Sequence, residues 1–305
     1  MPSSTSSFNL RRVLWGTVAC IAVLACWQVL IWCHGVTPST GVHQWEDNVI
    51  RVERFADKAQ HDRPVVLVGS SLMARLDAAK IGSRVVNVAL SGGSPRTGIE
   101  LVKRRPIADA LVIEISALAS REPDFDLVSS ALDGVSIRKP LSLFRREFQP
   151  ASVLISTWKN HLQSREKAPS KNPKSIAKAA ARQARGVKNT VAQYQQPLTE
   201  VQVLALKKGA EDMRGQLQEI RRTTSVRVFL DQVPLDPAVE ATPRARQTLS
   251  ILRDTFSSSE WRWVSAPADL LVETNDGLHL TRASADAYAA FLRDWLIAQG
   301  VALEP

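Results

Sequence analysis

Two short stretches of this 305-residue chain hold the residue types of nucleophilic acyl chemistry. The first is Val65-Val66-Leu67-Val68-Gly69-Ser70-Ser71-Leu72, an apolar run ending in a small-residue turn. The second is Asp276-Gly277-Leu278-His279. A serine hydroxyl is a weak nucleophile at neutral pH and needs a base to take its proton. A carboxylate beside that base orients the imidazole and stabilises its charged form. Ser71 is therefore the candidate nucleophile, His279 the base and Asp276 the orienting acid. Each also has a plainer role open to it. Ser71 could cap a helix, Asp276 could hold a turn, and His279 could be a surface residue at a helix start. The other histidines are poorer bases. His34 and His43 follow an apolar N-terminal segment, His61 precedes the first strand, and His161 falls in a basic segment.

Chemistry of this kind requires elements that bring residues 71 and 279 together. Val65–Val68 is rich in β-branched residues and reads as a fully buried strand. Gly69 permits a tight exit, and Leu72 to Lys80 reads as the start of a helix, which places Ser71 at a strand–turn–helix corner. Residues 84–90 read as a second strand that runs into Ser91-Gly92-Gly93-Ser94-Pro95. The paired glycines allow close approach of a ligand to the backbone. Pro95 suits the first turn of the helix that follows. Residues 110–115 read as a third strand, 226–230 as a fourth and 261–264 as a fifth. Helices are expected near 200–222, 242–257 and 283–299. Strands alternating with helices predict an α/β fold: three layers, α/β/α, around a mainly parallel five-stranded, flavodoxin-like sheet. Such sheets place ligands at the carboxyl ends of their strands, where Ser71, Gly92 and Ser116 fall.

The rest of the chain frames this domain. Residues 1–12 are serine-rich and end in Arg11-Arg12. Residues 13–33 carry no charge over 21 positions, close to the roughly 20 that cross a bilayer. Arginines precede the segment and no Lys or Arg follows until Arg51, a bias that places the N-terminus in the cytoplasm. The loose lipoprotein-type site Val23-Leu24-Ala25-Cys26 is followed by more apolar residues, so an uncleaved anchor is expected over a cleaved signal peptide. The expected order is a tail (1–12), a transmembrane anchor (13–33), a tether and leading helix (34–63), and an α/β domain (64–300). A basic helical insertion interrupts the last at about 121–200.

The three cysteines all lie in the first 33 residues, so the soluble part has neither a disulfide nor a cysteine-based metal site. The chemistry calls for no metal or cofactor. Net charge is +9, but residues 137–188 alone carry +11 and the remainder −2. That distribution argues against a general nucleic-acid binder. The basic segment reads either as a solvated helical excursion or as a surface for anionic lipid or an anionic polymer.

With these blocks in order, the chain resembles the SGNH (GDSL-type) hydrolase superfamily over about residues 64–298. Gly69-Ser70-Ser71 stands where that family has Gly-Asp-Ser. The Gly-Ser-Ser form is similar to that of membrane-anchored envelope proteins that modify polysaccharides. Asn87-Val88-Ala89-Leu90-Ser91-Gly92 stands where the family has Asn-x-Gly-x-x-Gly. Asp276 to His279 matches Asp-x-x-His. The resemblance implies an oxyanion hole made by the N–H groups of Ser71 and Gly92. It departs at the third block, where Leu118 takes the place of an oxyanion-donating Asn. Ser116 and Ser120 are the available substitutes.

The resemblance implies an inner-membrane serine esterase or O-acyl(acetyl)transferase whose domain faces the periplasm or exterior. Its implied substrate is an acyl ester on a surface or secreted polysaccharide. Its implied partners are the membrane itself and a membrane acyltransferase or polysaccharide synthase complex, with no nucleic acid. Two rivals remain. One is a catalytically silent envelope protein that binds glycan or a synthase; the other is a polymer-binding module built on residues 137–188.

Overall fold

The computed structural model describes residues 10–166, 173–267 and 270–304. Residues 1–9 of the expected tail, and Lys167 and Lys171 of the basic segment, lie outside the described residues. The helices in chain order are α1 (Leu10–Trp32), α2 (Gln44–Ala56), α3 (Ala78–Ile81), α4 (Pro95–Arg104), α5 (Phe125–Asp133), α6 (Val135–Arg138), α7 (Pro150–Glu166), α8 (Pro173–Tyr194), α9 (Glu200–Thr223), α10 (Pro237–Glu240), α11 (Pro243–Thr255) and α12 (Arg282–Ala298). The strands are β1 (Val65–Val68), β2 (Val85–Asn87), β3 (Ala110–Glu114), β4 (Arg227–Asp231) and β5 (Arg262–Val264). They form one parallel sheet in the order β2-β1-β3-β4-β5. This is the flavodoxin-like order, with the switch between β1 and β3.

Side-chain alternation along the strands sorts two cores. Val66, Val68, Leu111, Ile113, Val228 and Leu230 face a layer that includes Phe55, Ile99, Val128, Met213 and Leu252. Val65, Leu67, Val112 and Phe229 face the other layer, with Ile81, Tyr288, Leu292 and Leu296. Helix starts follow local chemistry. Ser94 caps α4 through the N–H of Arg96, with Pro95 in the first turn, and Thr281 caps α12.

Three segments differ from the sequence reading. The stretch after Ser71 is not one helix. A 3₁₀ turn (Met73–Arg75) ends at an extended Leu76, and Asp77 caps the separate α3. Asn87 Nδ2 of β2 donates to the carbonyls of Met73 and Leu76, both at 2.9 Å, which takes acceptors a continuing helix would use. The leading helix α2 is part of the core, with Phe55 and Ala56 fully buried. The domain also runs past residue 300: Leu303 is buried and its carbonyl accepts the N–H of Arg84.

α1 is long and apolar enough to cross a membrane. Its last turns touch the domain. Trp27 Nε1 donates to the Phe148 carbonyl at 2.8 Å, and the N–H of Leu143 donates to Gln28 Oε1 at 3.0 Å. The segment before α2 is tied down as well, since the N–H of Ser39 donates to the Glu147 carbonyl.

Candidate active site

The fold brings Ser71 and His279 together. Ser71 Oγ lies 2.9 Å from His279 Nε2, and His279 Nδ1 lies 2.8 Å from Asp276 Oδ2. This network assigns the proton on Nδ1 to the Asp276 bond, leaving Nε2 to accept from the serine. Among the described residues Ser71 caps nothing, since the N–H of Leu72 is met by Ser70 Oγ, whereas Asp276 holds a turn as well as meeting the ring.

Both ends of the triad are built by tight turns. Asp276 Oδ1 accepts the N–H of His279 (2.8 Å) and of Leu278 (3.1 Å), so one carboxylate holds both the ring and its backbone. Gly277 between them has φ +93°, a conformation that disfavours side chains. Burial would raise the Asp276 carboxyl, but these N–H groups and the His279 ring outweigh it and hold it below its ordinary value.

The Ser71 turn rests on a buried carboxylate that the sequence showed only as a residue inside the third strand. Glu114, last in β3, accepts the N–H of Ser70 at 2.8 Å, its hydroxyl at 2.7 Å, and the N–H of Met73 at 3.1 Å. Gly69 makes this approach feasible, because a Cβ there would sit 2.6 Å from Glu114 Oε2. Beside it on β4, paired in register with Glu114, is Asp231. Asp231 is fully buried and accepts the Tyr288 hydroxyl at 2.5 Å, while its Oδ2 has no partner among the described residues. Burial pushes its carboxyl up to about 7.

Helix α8 of the basic segment packs on the histidine loop. Gln183 Nε2 donates to the Thr274 carbonyl at 2.6 Å, and Gly186 faces Asn275 and Asp276. Thr190 is buried against Gly277, and Tyr194 lines the same cavity as Ser71. Sequence reading had no signal for these residues, which are small or polar at helical spacing without an apolar stripe.

The oxyanion donors divide. The N–H of Ser71 has no hydrogen-bond partner among the described residues. Gly92 does not line the cavity at Ser71. It lies in a groove with Gln44, Trp45 and Asn48, and its carbonyl accepts from Arg121. At the third block, Ser120 spends its proton on the Ala117 carbonyl. Ser116 lines the Ser71 cavity, and its oxygen accepts the N–H of Leu118, leaving its own proton available.

The cavity has a volume of about 380 Å³ and is mainly apolar. Among the described residues, no group of three or more His, Cys, Asp or Glu is placed to hold a metal ion. No family model matches the chain, and neither a curated protein nor a solved structure matches it.

Proposed function

We propose that this protein is a membrane-anchored serine esterase or O-acyltransferase of the SGNH type, acting on a cell-surface or secreted polysaccharide. The observation that carries this reading is the Ser71–His279–Asp276 chain of bonds at 2.9 and 2.8 Å, open to a cavity. The steps balance as follows. Ser71 Oγ attacks the ester carbonyl while His279 Nε2 takes its proton. The N–H of Ser71, with the Ser116 hydroxyl beside it, holds the developing oxyanion. The C–O bond breaks and the alcohol leaves with the proton from His279. Water or a sugar hydroxyl then attacks the acyl-serine, gives its proton to His279, and Ser71 is restored.

Two features support an anionic polymer as acceptor. Lys178, Arg182, Arg185 and Lys188 are exposed along α8, and another face of that helix holds the histidine loop. The Arg11-Arg12 pair in the first turn of α1 favours a cytoplasmic N-terminus and a domain on the periplasmic or outer side. There a membrane acyltransferase or polysaccharide synthase would be the natural partner.

The test is turnover of p-nitrophenyl acetate and butyrate by the full chain in nanodiscs, beside Ser71→Ala and His279→Ala. Turnover lost in both variants supports the reading. Equal rates in all three, with no labelling of Ser71 by a fluorophosphonate, would favour a silent glycan-binding protein. Leu118 in place of a donor is the observation behind that alternative.

A further inference from the structure

We infer that the acyl group handled at Ser71 is a medium-length aliphatic chain, longer than acetyl; this rests on the serine mechanism above. The cavity beside Ser71 and His279 is walled by Ile115, Leu118, Val233, Leu249, Leu252 and Leu278. Its volume of about 380 Å³ is far more than a two-carbon acetyl group fills and lies within the size range of small-molecule sites. Ser116, Tyr194, Gln232, Glu240, Arg246 and Thr248 also line it, yet most of the lining surface is apolar, so a sugar ring would leave most of its hydroxyls against aliphatic carbon. Each methylene that moves from water into such walls strengthens binding by up to about fourfold.

The test uses methyl and octyl fluorophosphonates on the full chain in nanodiscs, read by intact mass. Ser71 Oγ bonds to phosphorus, the P–F bond breaks, fluoride leaves and His279 carries off the hydroxyl proton. Octyl labelling at least tenfold faster than methyl is expected. Ala245→Trp and Leu249→Trp, which fill the cavity, should slow the octyl probe at least tenfold and leave the methyl rate within about threefold. Methyl labelling as fast as octyl in the native chain, or equal slowing of both probes by both fillings, overturns the inference while leaving the serine mechanism standing. Failure of both probes to label Ser71 removes the mechanism and the inference together.

A separate observation carries a second proposal: the face of the domain around α1 lies in the lipid surface. Helix α7 is turned inside out. Its inner side presents Ser152 and Ser156 beside Val153, with Ser152 bonded to Glu46, while the larger apolar residues Leu154, Ile155, Trp158 and Leu162 are exposed on the outer side. Ile137, Leu141 and Phe144 nearby in the chain are exposed too. This apolar surface is continuous with the anchor, because Leu143 and Phe148 bond Gln28 and Trp27. Gln28 lies four residues before the end of α1, roughly 6 Å along the helix axis. An anchor in a bilayer therefore carries the 141–148 segment to the depth of the interface, where Trp158 and Phe144 fit. The occupant is the bilayer itself.

Spin labels at Leu154→Cys, Ile155→Cys and Trp158→Cys, in a chain lacking Cys20, Cys26 and Cys33 and reconstituted in liposomes, test this. Oxygen should reach the labels several-fold more readily than a water-soluble nickel chelate, with the reverse at Arg182→Cys. Preferential access by the chelate at the α7 sites overturns the proposal. So does exclusion of both reagents, which would mean that a protein or a second copy covers the face.

Discussion

Gly186 of α8 lies against Asp276 so closely that a Cβ on it would sit 3.1 Å from the Asp276 Cα. Gly186→Leu should push the histidine loop away from Ser71 and lower kcat on p-nitrophenyl esters at least tenfold. Steady-state kinetics beside a thermal scan will check that the loss exceeds any loss of folding.

Asp276→Asn removes the acceptor that fixes the His279 tautomer. Turnover should fall by about 10²–10⁴. In the native chain Asp276, held below its ordinary range, stays charged through mildly acidic pH. Steady-state kinetics on p-nitrophenyl esters should show the low kcat/KM of Asp276→Asn beside the native value, with the fold intact by thermal scan.

Glu114→Gln keeps the shape beneath the nucleophile but places an amide N–H₂ where three donors point. With its oxygen kept on the Ser70 and Met73 N–H groups, its N–H₂ turns the Ser70 hydroxyl from donor to acceptor and the charged acceptor is lost, at a cost of about 1–3 kcal/mol. Fluorophosphonate labelling of Ser71 should slow, and the thermal midpoint should drop.

Asp231 has a folded pKa raised to about 7 from an ordinary 3.8. Below pH 4 it is protonated both folded and unfolded. As pH rises towards 7 the unfolded chain releases the proton first, so stability is lost across that window. The full shift corresponds to about 4 kcal/mol as an upper figure. Asp231→Asn keeps an acceptor for Tyr288 and should raise the thermal midpoint at pH 8 more than at pH 5. Equal gains at both pH values would count against the assignment.

Arg182→Glu with Arg185→Glu should weaken binding of alginate, used as an anionic probe, several-fold at low salt and little at high salt. Hydrolysis of p-nitrophenyl butyrate should be unchanged, since neither side chain lines the Ser71 cavity.

Much of the frame was readable in advance. Val-rich apolar runs marked β1 to β4 to within a few residues, because buried parallel strands are apolar on both faces, while the alternation in Trp261-Arg262-Trp263-Val264 marked the edge strand β5. The triad was readable because its turns are sequence-local: Asp276 and His279 are three residues apart, and Ser71 follows a strand end. What depended on packing was hidden. Glu114 lay unremarked inside the run read as the third strand, yet it is 1 % exposed and braces the Ser71 turn. Gln183, Gly186 and Thr190 sat in a run whose charges suggested a solvated excursion, though one face grips the histidine loop. The break after Arg75 came from Asn87, a side chain on the next strand. Gly92 was expected beside Ser71, and the structure places it in a neighbouring groove with Gln44.

The bonds that join Trp27 and Gln28 to the Phe148 carbonyl and the Leu143 N–H make α1, in the anchoring role proposed for it, a bracket and not a leash. A catalytic centre on a leash sweeps a hemisphere and meets its substrate by wandering. One on a bracket keeps a set height and bearing above the plane that holds it. On the function proposed above, its working volume is a thin shell, and the polymer strand would have to be delivered into that shell, as thread is fed to a fixed needle.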